Sequence, residues 1–244
     1  LHKQFPSENV ISRLSKEEAL FIGMMVGDGY ISKDGKAQFS NNDENIIKLF
    51  GSLWRKVDLG NISVKEYKTE YGKIKQVRLN GNSEYLRFIR NEIYTYDGFK
   101  KIPDRILNAN KEIKLAFLTG YNITDGLKSN SCIYEFRNFK TDSIILAQGL
   151  LFLISKTTMQ DFNLTFEKDE KNYGYYSLNL LSQTNNRLKE EKVQELISLG
   201  LSQRQISRES GISRNFIRKI EDGGHSQLVH HLSKQKEEIK KMLY

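Results

Sequence analysis

The feature that most constrains this chain is an internal repeat. Gly23, Asp28, Gly29, Phe39, Asn41 and Leu53 recur as Gly120, Asp125, Gly126, Phe136, Asn138 and Leu150, every pair separated by 97 residues, as in 125 − 28. Six pairs in one register imply two structural copies, and a repeat decides the architecture before any single motif is interpreted. Each copy reads as an apolar helix, an Asp-Gly break, a β-hairpin, an amphipathic helix and a second hairpin, in the order αββαββ.

Local signals fill in the first copy. Ser15 with Glu18 three residues on makes a capping box, and the helix Lys16 to Val26 stops at Gly27-Asp28-Gly29. Lys33-Asp34-Gly35-Lys36 carries the Asp-Gly of a two-residue turn, which predicts antiparallel strands over Tyr30 to Asn41. Ile46, Ile47, Phe50, Leu53 and Trp54 give a helical stripe, Ile62 to Asn80 a hairpin through Tyr71-Gly72, and Ser83 to Ile93 a closing helix. In the second copy a helix over Lys111 to Ile123 is followed by strands near Leu127 to Phe139. The stripe Ile144, Ile145, Leu151 and Leu153 comes next, then a hairpin over Phe162 to Leu181 with no clear counterpart of the closing helix. From Arg187 the chain turns helical and charged, and Ser233 to Tyr244 reads as a solvated Lys/Glu helix.

The two repeat-leading segments, Phe21-Ile22-Gly23-Met24-Met25-Val26-Gly27-Asp28-Gly29 and Leu118-Thr119-Gly120-Tyr121-Asn122-Ile123-Thr124-Asp125-Gly126, resemble the signature of LAGLIDADG homing endonucleases. Neither copy is literal, but the small third residue and the closing Asp-Gly are kept. The resemblance implies that the two helices pack closely about a pseudo-twofold axis. Close backbone approach also gives a reason for a mid-helix glycine, which otherwise costs about 1 kcal/mol. Side by side, the helices would bring Asp28 and Asp125 together at their C-terminal ends, where the dipoles are also negative. At ~4 Å and an effective dielectric near 20, two carboxylates repel by roughly 4 kcal/mol, so a cation should sit between them. Mg²⁺, or another divalent ion such as Mn²⁺, takes one or two carboxylates plus water and phosphate oxygens. The family resemblance gives that role to both aspartates, with the carbonyls of Gly27 and Thr124 as further ligands. A lone Asp-Gly would be only a turn or helix stop; the in-register pair makes the difference.

Lys100-Lys101-Ile102-Pro103 resembles the Lys-x-Ile-Pro block that intein-borne members carry ahead of the second signature helix. By that resemblance Lys100 is catalytic, lending positive charge to the reacting phosphate or tuning the attacking water, with Lys101 a competitor. Lys189 and Lys192 lie in the stretch where a second-half lysine would fall, without a motif.

The partner expected is double-stranded DNA. The net charge is +8; Arg187 to Tyr244 holds twelve Lys/Arg against eight Asp/Glu, hence +4 in 58 residues, and the other 186 residues carry the remaining +4. Lys33, Lys36, Lys65, Lys68, Lys73, Lys75 and Arg78 in the first copy, and Lys128 and Arg137 in the second, are candidates to hold phosphates or read bases. A charged outer sheet face would look the same. Val193 to Ile220 resembles a helix-turn-helix, with Ser202 and Ser213 as caps, Gly211 in the turn and Ile206, Ile212, Ile217 and Ile220 inward. Its second helix would aim Arg214, Asn215, Arg218 and Lys219 at DNA, although a helical hairpin can also serve packing alone.

The single Cys132 excludes an internal disulfide and a cysteine-built zinc site. No apolar run reaches a membrane span, and there is no signal peptide, so a soluble intracellular protein is expected. The expectation is an α+β monomer without an obligate protein partner: residues 1–108 and 109–186 as two pseudosymmetric halves forming a saddle over DNA, and residues 187–244 as a helix-turn-helix extension. It would cut both strands of a long asymmetric site in a metal-dependent reaction. Rivals are a DNA-binding regulator that does not cleave and an intron RNA maturase. A chain starting at Leu1, without splicing residues at its ends, reads as an endonuclease domain taken from an intein or as a free-standing relative.

Overall fold

The computed structural model describes residues 14–243 except 59, 70–71, 82, 127–133, 159, 161, 182 and 224–225. The first half runs α1 (Lys16–Asp28), β1 (Gly29–Ile31), β2 (Ala37–Asn41), α2 (Glu44–Asp58), β3 (Asn61–Thr69), β4 (Gly72–Asn80) and α3 (Ser83–Ile93). A short helix α4 (Asp104–Leu107) leads into the second half: α5 (Lys111–Asp125), β5 (Asn138–Thr141), α6 (Ile144–Thr157), β6 (Phe162–Lys168) and β7 (Gly174–Leu180). The tail holds α7 (Gln183–Ser198), α8 (Gln203–Ser210), α9 (Arg214–Glu221) and α10 (Ser226–Leu243). The architecture is the expected mixed α+β arrangement, with two antiparallel sheets ordered β1-β2-β4-β3 and β5-β7-β6.

Helices α1 and α5 form the centre of the molecule. Residues 19–26 of α1 and 115–124 of α5 are buried on every side, so both helices are apolar all round rather than striped. Their contact repeats the 97-residue offset. A methyl on Gly23 would stand 2.1 Å from the Phe117 carbonyl oxygen and 2.9 Å from the Tyr121 nitrogen. One on Gly120 would stand 2.1 Å from the Leu20 carbonyl oxygen and 3.0 Å from the Met24 nitrogen. Leu20 matches Phe117 and Met24 matches Tyr121, so the two backbones meet about a twofold axis and neither tolerates a Cβ at the crossing.

Both leading helices are longer than the Gly-Asp-Gly sequence suggested. They continue to Asp28 and Asp125 and are capped by the N–H groups of Gly29 and Gly126, which donate to the carbonyls of Met25 and Asn122. Gly27 lies within the helix and is not a break; a Cβ there would come 2.0 Å from the Oγ1 of Thr124, its counterpart across the axis, which accounts for the glycine.

Other expectations shift in detail. The first hairpin closes with Ser32 N–H donating to the Lys36 carbonyl at 2.8 Å and Gly35 at φ +81°, a three-residue loop ending in a left-handed glycine instead of a two-residue turn. Of the strands expected near Leu127 to Phe139, residues 127–133, Cys132 among them, fall outside the described residues, while Gly126 bridges Phe139 and β5 starts at Asn138. A helix, α7, follows β7, but its Val193, Leu196 and Ile197 pack into the tail's own small core of Ile206, Ile212, Ile217 and Ile220. Ser202, Gly211 at φ +68° and Ser213 take the capping and turn places expected of them.

Helix α10 is not fully solvated. Ile239 is completely buried in the main core, with Met242 and Leu243 packed beside it. Lys236 approaches Glu135 at 3.9 Å, and Lys240 lies over the Tyr134 ring. The end of the described chain therefore returns to the two-half body.

The glycine crossing makes a prediction whose sign discriminates. Helix propensity alone would make Gly23→Ala stabilising by about 1 kcal/mol. Backbone contact predicts a loss of about 3 kcal/mol instead, seen as a lower urea midpoint.

Candidate active site

The C-terminal ends of α1 and α5 lie against each other, and Asp125, though not Asp28, lines the pocket beside them. A methyl on Gly27 would lie 3.4 Å from Asp125 Cβ, so the second aspartate stands against the residue preceding the first. A cavity of about 560 Å³ opens beside them, lined by Tyr30, Tyr94, Lys100, Asp125, Thr141 and Asp142 among others.

Lys100 enters from the loop joining the halves. Its Nζ donates to the Gly27 carbonyl at 2.6 Å. Burial lowers its pKa, while the carboxylates of Asp125, Asp28 and Asp142 pull in the opposite direction without cancelling that effect. The loop is pinned from both sides. Lys101 N–H donates to the Ile93 carbonyl at 2.8 Å, and Ser143 Oγ, which caps α6, donates to the Lys100 carbonyl at 2.6 Å. Just beyond, Arg105 ties α4 to Glu18 of α1 at 2.7 Å and to Glu92 of α3 at 2.8 Å. Lys101, the competing lysine, lies near enough to Glu92 to favour its charged form. Lys189 and Lys192 line a separate hollow of about 430 Å³ in the tail, beside Gly211 and Ser213.

The two aspartates are held by different means. Asn41 Nδ2 donates to Asp28 Oδ2 at 2.7 Å, and Asn41 Oδ1 accepts from Asp43 N–H at 2.9 Å, which orients the amide. In the second half Asn138, the counterpart of Asn41, bonds Asn179 instead. There the Tyr121 hydroxyl donates to Asp125 Oδ2 at 2.9 Å. Burial first, then the neighbouring Asp125 carboxylate, drives the Tyr121 phenol well above its ordinary pKa. Asn41 had surfaced only as a repeat position and Tyr121 only as part of the signature; a hydrogen bond from either to an aspartate leaves no trace in spacing.

The donors at the seam are hard oxygens: two carboxylates, and the carbonyls of Gly27 and Thr124 at helix C-termini. Among the described residues no group of three or more His, Cys, Asp or Glu side chains forms a ligand cage. That set suits Mg²⁺ or Mn²⁺, which accept few protein ligands and complete their shell with water and phosphate oxygens. The Gly27 carbonyl already accepts from Lys100, so ammonium and metal would share it.

Strand register divides the expected DNA-contacting residues. Ser63 pairs with Arg78 and Lys65 with Gln76 across β3–β4, and Arg78 and Gln76 pair in turn with Gln38 and Ser40 of β2. These share one face, opposite the face that carries Phe39 and Val77 into the core. Lys68, Lys73 and Lys75 lie in the other phase, where Lys73 pairs with Glu66 at 2.8 Å and Lys75 with Glu44. Lys33 and Lys36 are exposed at the first hairpin, Lys36 bound to Asp34 at 2.7 Å. Arg137 pairs with Glu135 at 2.9 Å, and Lys128 lies outside the described residues. One face of the second sheet bears Asn138, Lys140, Asn163, Thr165, Asn179 and the buried Ser177; only Asn138 was named from sequence, as a repeat position, although each alternates with an apolar neighbour. In the tail Arg214, Asn215, Arg218 and Lys219 are all exposed on α9. Among the described residues no helix is long and apolar enough to cross a membrane.

No family model matches the chain. It is 26% identical over 201 residues to a DNA polymerase of Acanthamoeba polyphaga mimivirus, which covers 80% of this chain but 12% of that protein, so the chain spans about an eighth of this relative. Mesophilic variants of the homing endonuclease I-DmoI superpose with a TM-score of 0.50 at 17% identity, covering 70% of this chain and 90% of theirs. I-DmoI in complex with DNA and Ca gives 0.49 at 16% identity, over 73% of this chain and 89% of that one. The chain thus has the LAGLIDADG fold seen in the I-DmoI variants.

Proposed function

We propose that the chain is a site-specific DNA endonuclease that makes a divalent-metal-dependent double-strand break. The observation that carries this reading is that Asp28 and Asp125 end two helices locked in backbone contact and both act on the Lys100 ammonium, which is bound to the Gly27 carbonyl. Asp28 and Asp125, with the Gly27 and Thr124 carbonyls, would hold the ions. When bound, a divalent ion would polarise the scissile phosphate, make an attacking water more acidic and offset the charge on the leaving oxygen. Asn41 orients the Asp28 carboxylate, and Lys100 would place positive charge where negative charge develops in the transition state.

The substrate reading follows from the open sheet faces. Gln38, Gln76, Lys65 and Arg78 on one sheet, and Asn138, Asn163, Asn179 and Lys140 on the other, are amides and cations of the kind that read base edges and hold phosphates. The unlike halves suit an asymmetric site, and α9 extends the footprint through Arg214, Asn215, Arg218 and Lys219. Residues 1–108 and 109–186 would act as the two halves of a monomer, with 187–244 as the added DNA-binding unit anchored by α10. A segment aligning with 12% of a DNA polymerase also suits an endonuclease carried inside a host protein, as the Lys-x-Ile-Pro block of intein-borne members suggests.

Asp28→Asn or Asp125→Asn should abolish Mg²⁺-dependent linearisation of a target-bearing plasmid and leave its mobility shift largely intact. Wild-type protein that shifts the target and never cuts it would instead make the chain a DNA-binding regulator. Lys100→Met should slow cleavage by about 100-fold, whereas Lys101→Met should stay near the wild-type rate. For binding, the double variant Arg214→Ala/Arg218→Ala should reduce the slope of log K against log salt by about 2 if both arginines meet phosphates. Lys73→Ala should leave that slope unchanged, because its ammonium is held by Glu66.

A further inference from the structure

We infer that Tyr121 is a positioning residue for the metal-binding carboxylate of Asp125, doing in the second half what Asn41 does for Asp28 in the first. The inference rests on the nuclease reading for what the aspartates hold.

The 97-residue offset makes Met24 the counterpart of Tyr121, Asp28 of Asp125 and Asn41 of Asn138. In the first half the aspartate takes its hydrogen bond from a strand amide, Asn41 Nδ2, at 2.7 Å. In the second half the matching amide is turned to Asn179, and the aspartate is met from its own helix by a phenol four residues back, at 2.9 Å. The ring is fully buried and packs on Phe139, with centroids 5.6 Å apart, so it has no freedom to follow a wandering carboxylate. A core that needed only volume would be served by Met, as at Met24, or by Phe. The hydroxyl adds a desolvation cost that its bond to Asp125 offsets. With Oδ2 accepting from the phenol, Asp125 keeps Oδ1 to turn toward the seam.

The two half-sites then rest on unlike supports and can be detuned separately. Supporting hydrogen bonds of this kind are worth about 10- to 100-fold in metal affinity or activity.

The test is a cycle on the full chain, with Mn²⁺ binding read from the loss of the free-ion electron paramagnetic resonance signal. In an Asp28→Asn background, where Asp125 alone remains, adding Tyr121→Phe should weaken Mn²⁺ binding about tenfold. In an Asp125→Asn background the same addition should change nothing. Equal weakening in both backgrounds would mean that Tyr121 only packs the core, and no weakening in the first would mean that its hydrogen bond does not serve the metal; either overturns the inference, as does an Asp28→Asn protein that binds no Mn²⁺. Circular dichroism checks that each variant is folded. Tyr121→Met, which installs the residue found at position 24, should give the same pattern and replaces Tyr121→Phe if that variant unfolds. Wild-type protein that binds Mn²⁺ but leaves DNA intact would sink the nuclease reading, yet the cycle would still report on Tyr121. With an active enzyme, end-labelled strands should show one strand slowed about tenfold by Tyr121→Phe and the other near wild type.

Discussion

Everything at the centre of this molecule depends on two helices touching backbone to backbone. Gly23 lies against the Phe117 carbonyl and Gly120 against the Leu20 carbonyl, and any side chain at either position would have to push the halves apart. The crossing places Gly27 against Thr124 one turn further on and so brings the two terminal aspartates to one seam. Carboxylates at adjacent helix C-termini repel, and the half-buried Lys100 of the linking loop interacts with both. Stability and site geometry are therefore one constraint: what separates the helices also disperses the acids.

The halves share a plan but not their chemistry. Lys100 lies at the seam, whereas Lys189 and Lys192, the second-half candidates, line a hollow in the tail. Asp28 leans on an amide and Asp125 on a phenol. One sheet offers Gln38, Gln76, Lys65 and Arg78 on its open face, the other mainly asparagines and hydroxyls. A covalently linked pair can diverge in this way while the crossing that holds it together stays symmetric. The return of Ile239 to the main core extends the same logic to the tail, because it couples the α8–α9 unit to the body that carries the acids.

Much of this was legible in the sequence because a duplication preserves register. The offset of 97 located both leading helices and both aspartates, local signals gave the αββαββ order seen in the first half, and a family-like block pointed to Lys100. What escaped depends on contacts between distant segments. Gly27 looked like a helix stop, but the neighbouring helix at Thr124 is what requires a glycine there, and the helix continues through it. Lys65, Lys68, Lys73, Lys75 and Arg78 looked like one basic surface, yet pairing register puts Lys65 and Arg78 on one face and the other three on the opposite one. The stretch Ser233 to Tyr244 reads as solvated because lysines and glutamates dominate it, although Ile239, Met242 and Leu243 stand at i, i+3 and i+4 and Ile239 is fully buried. The bonds of Asn41 and Tyr121 to the aspartates were out of reach for the same reason: they are geometry, not pattern.

Anomalous diffraction from crystals of the protein soaked in Mn²⁺ tests the central claim most directly. The account predicts a peak at the seam between α1 and α5, at about 2.1 Å from carboxylate oxygens of Asp28 and Asp125. A seam without a peak while Mn²⁺ binds elsewhere, or a peak held by one aspartate with the other turned away, would contradict it.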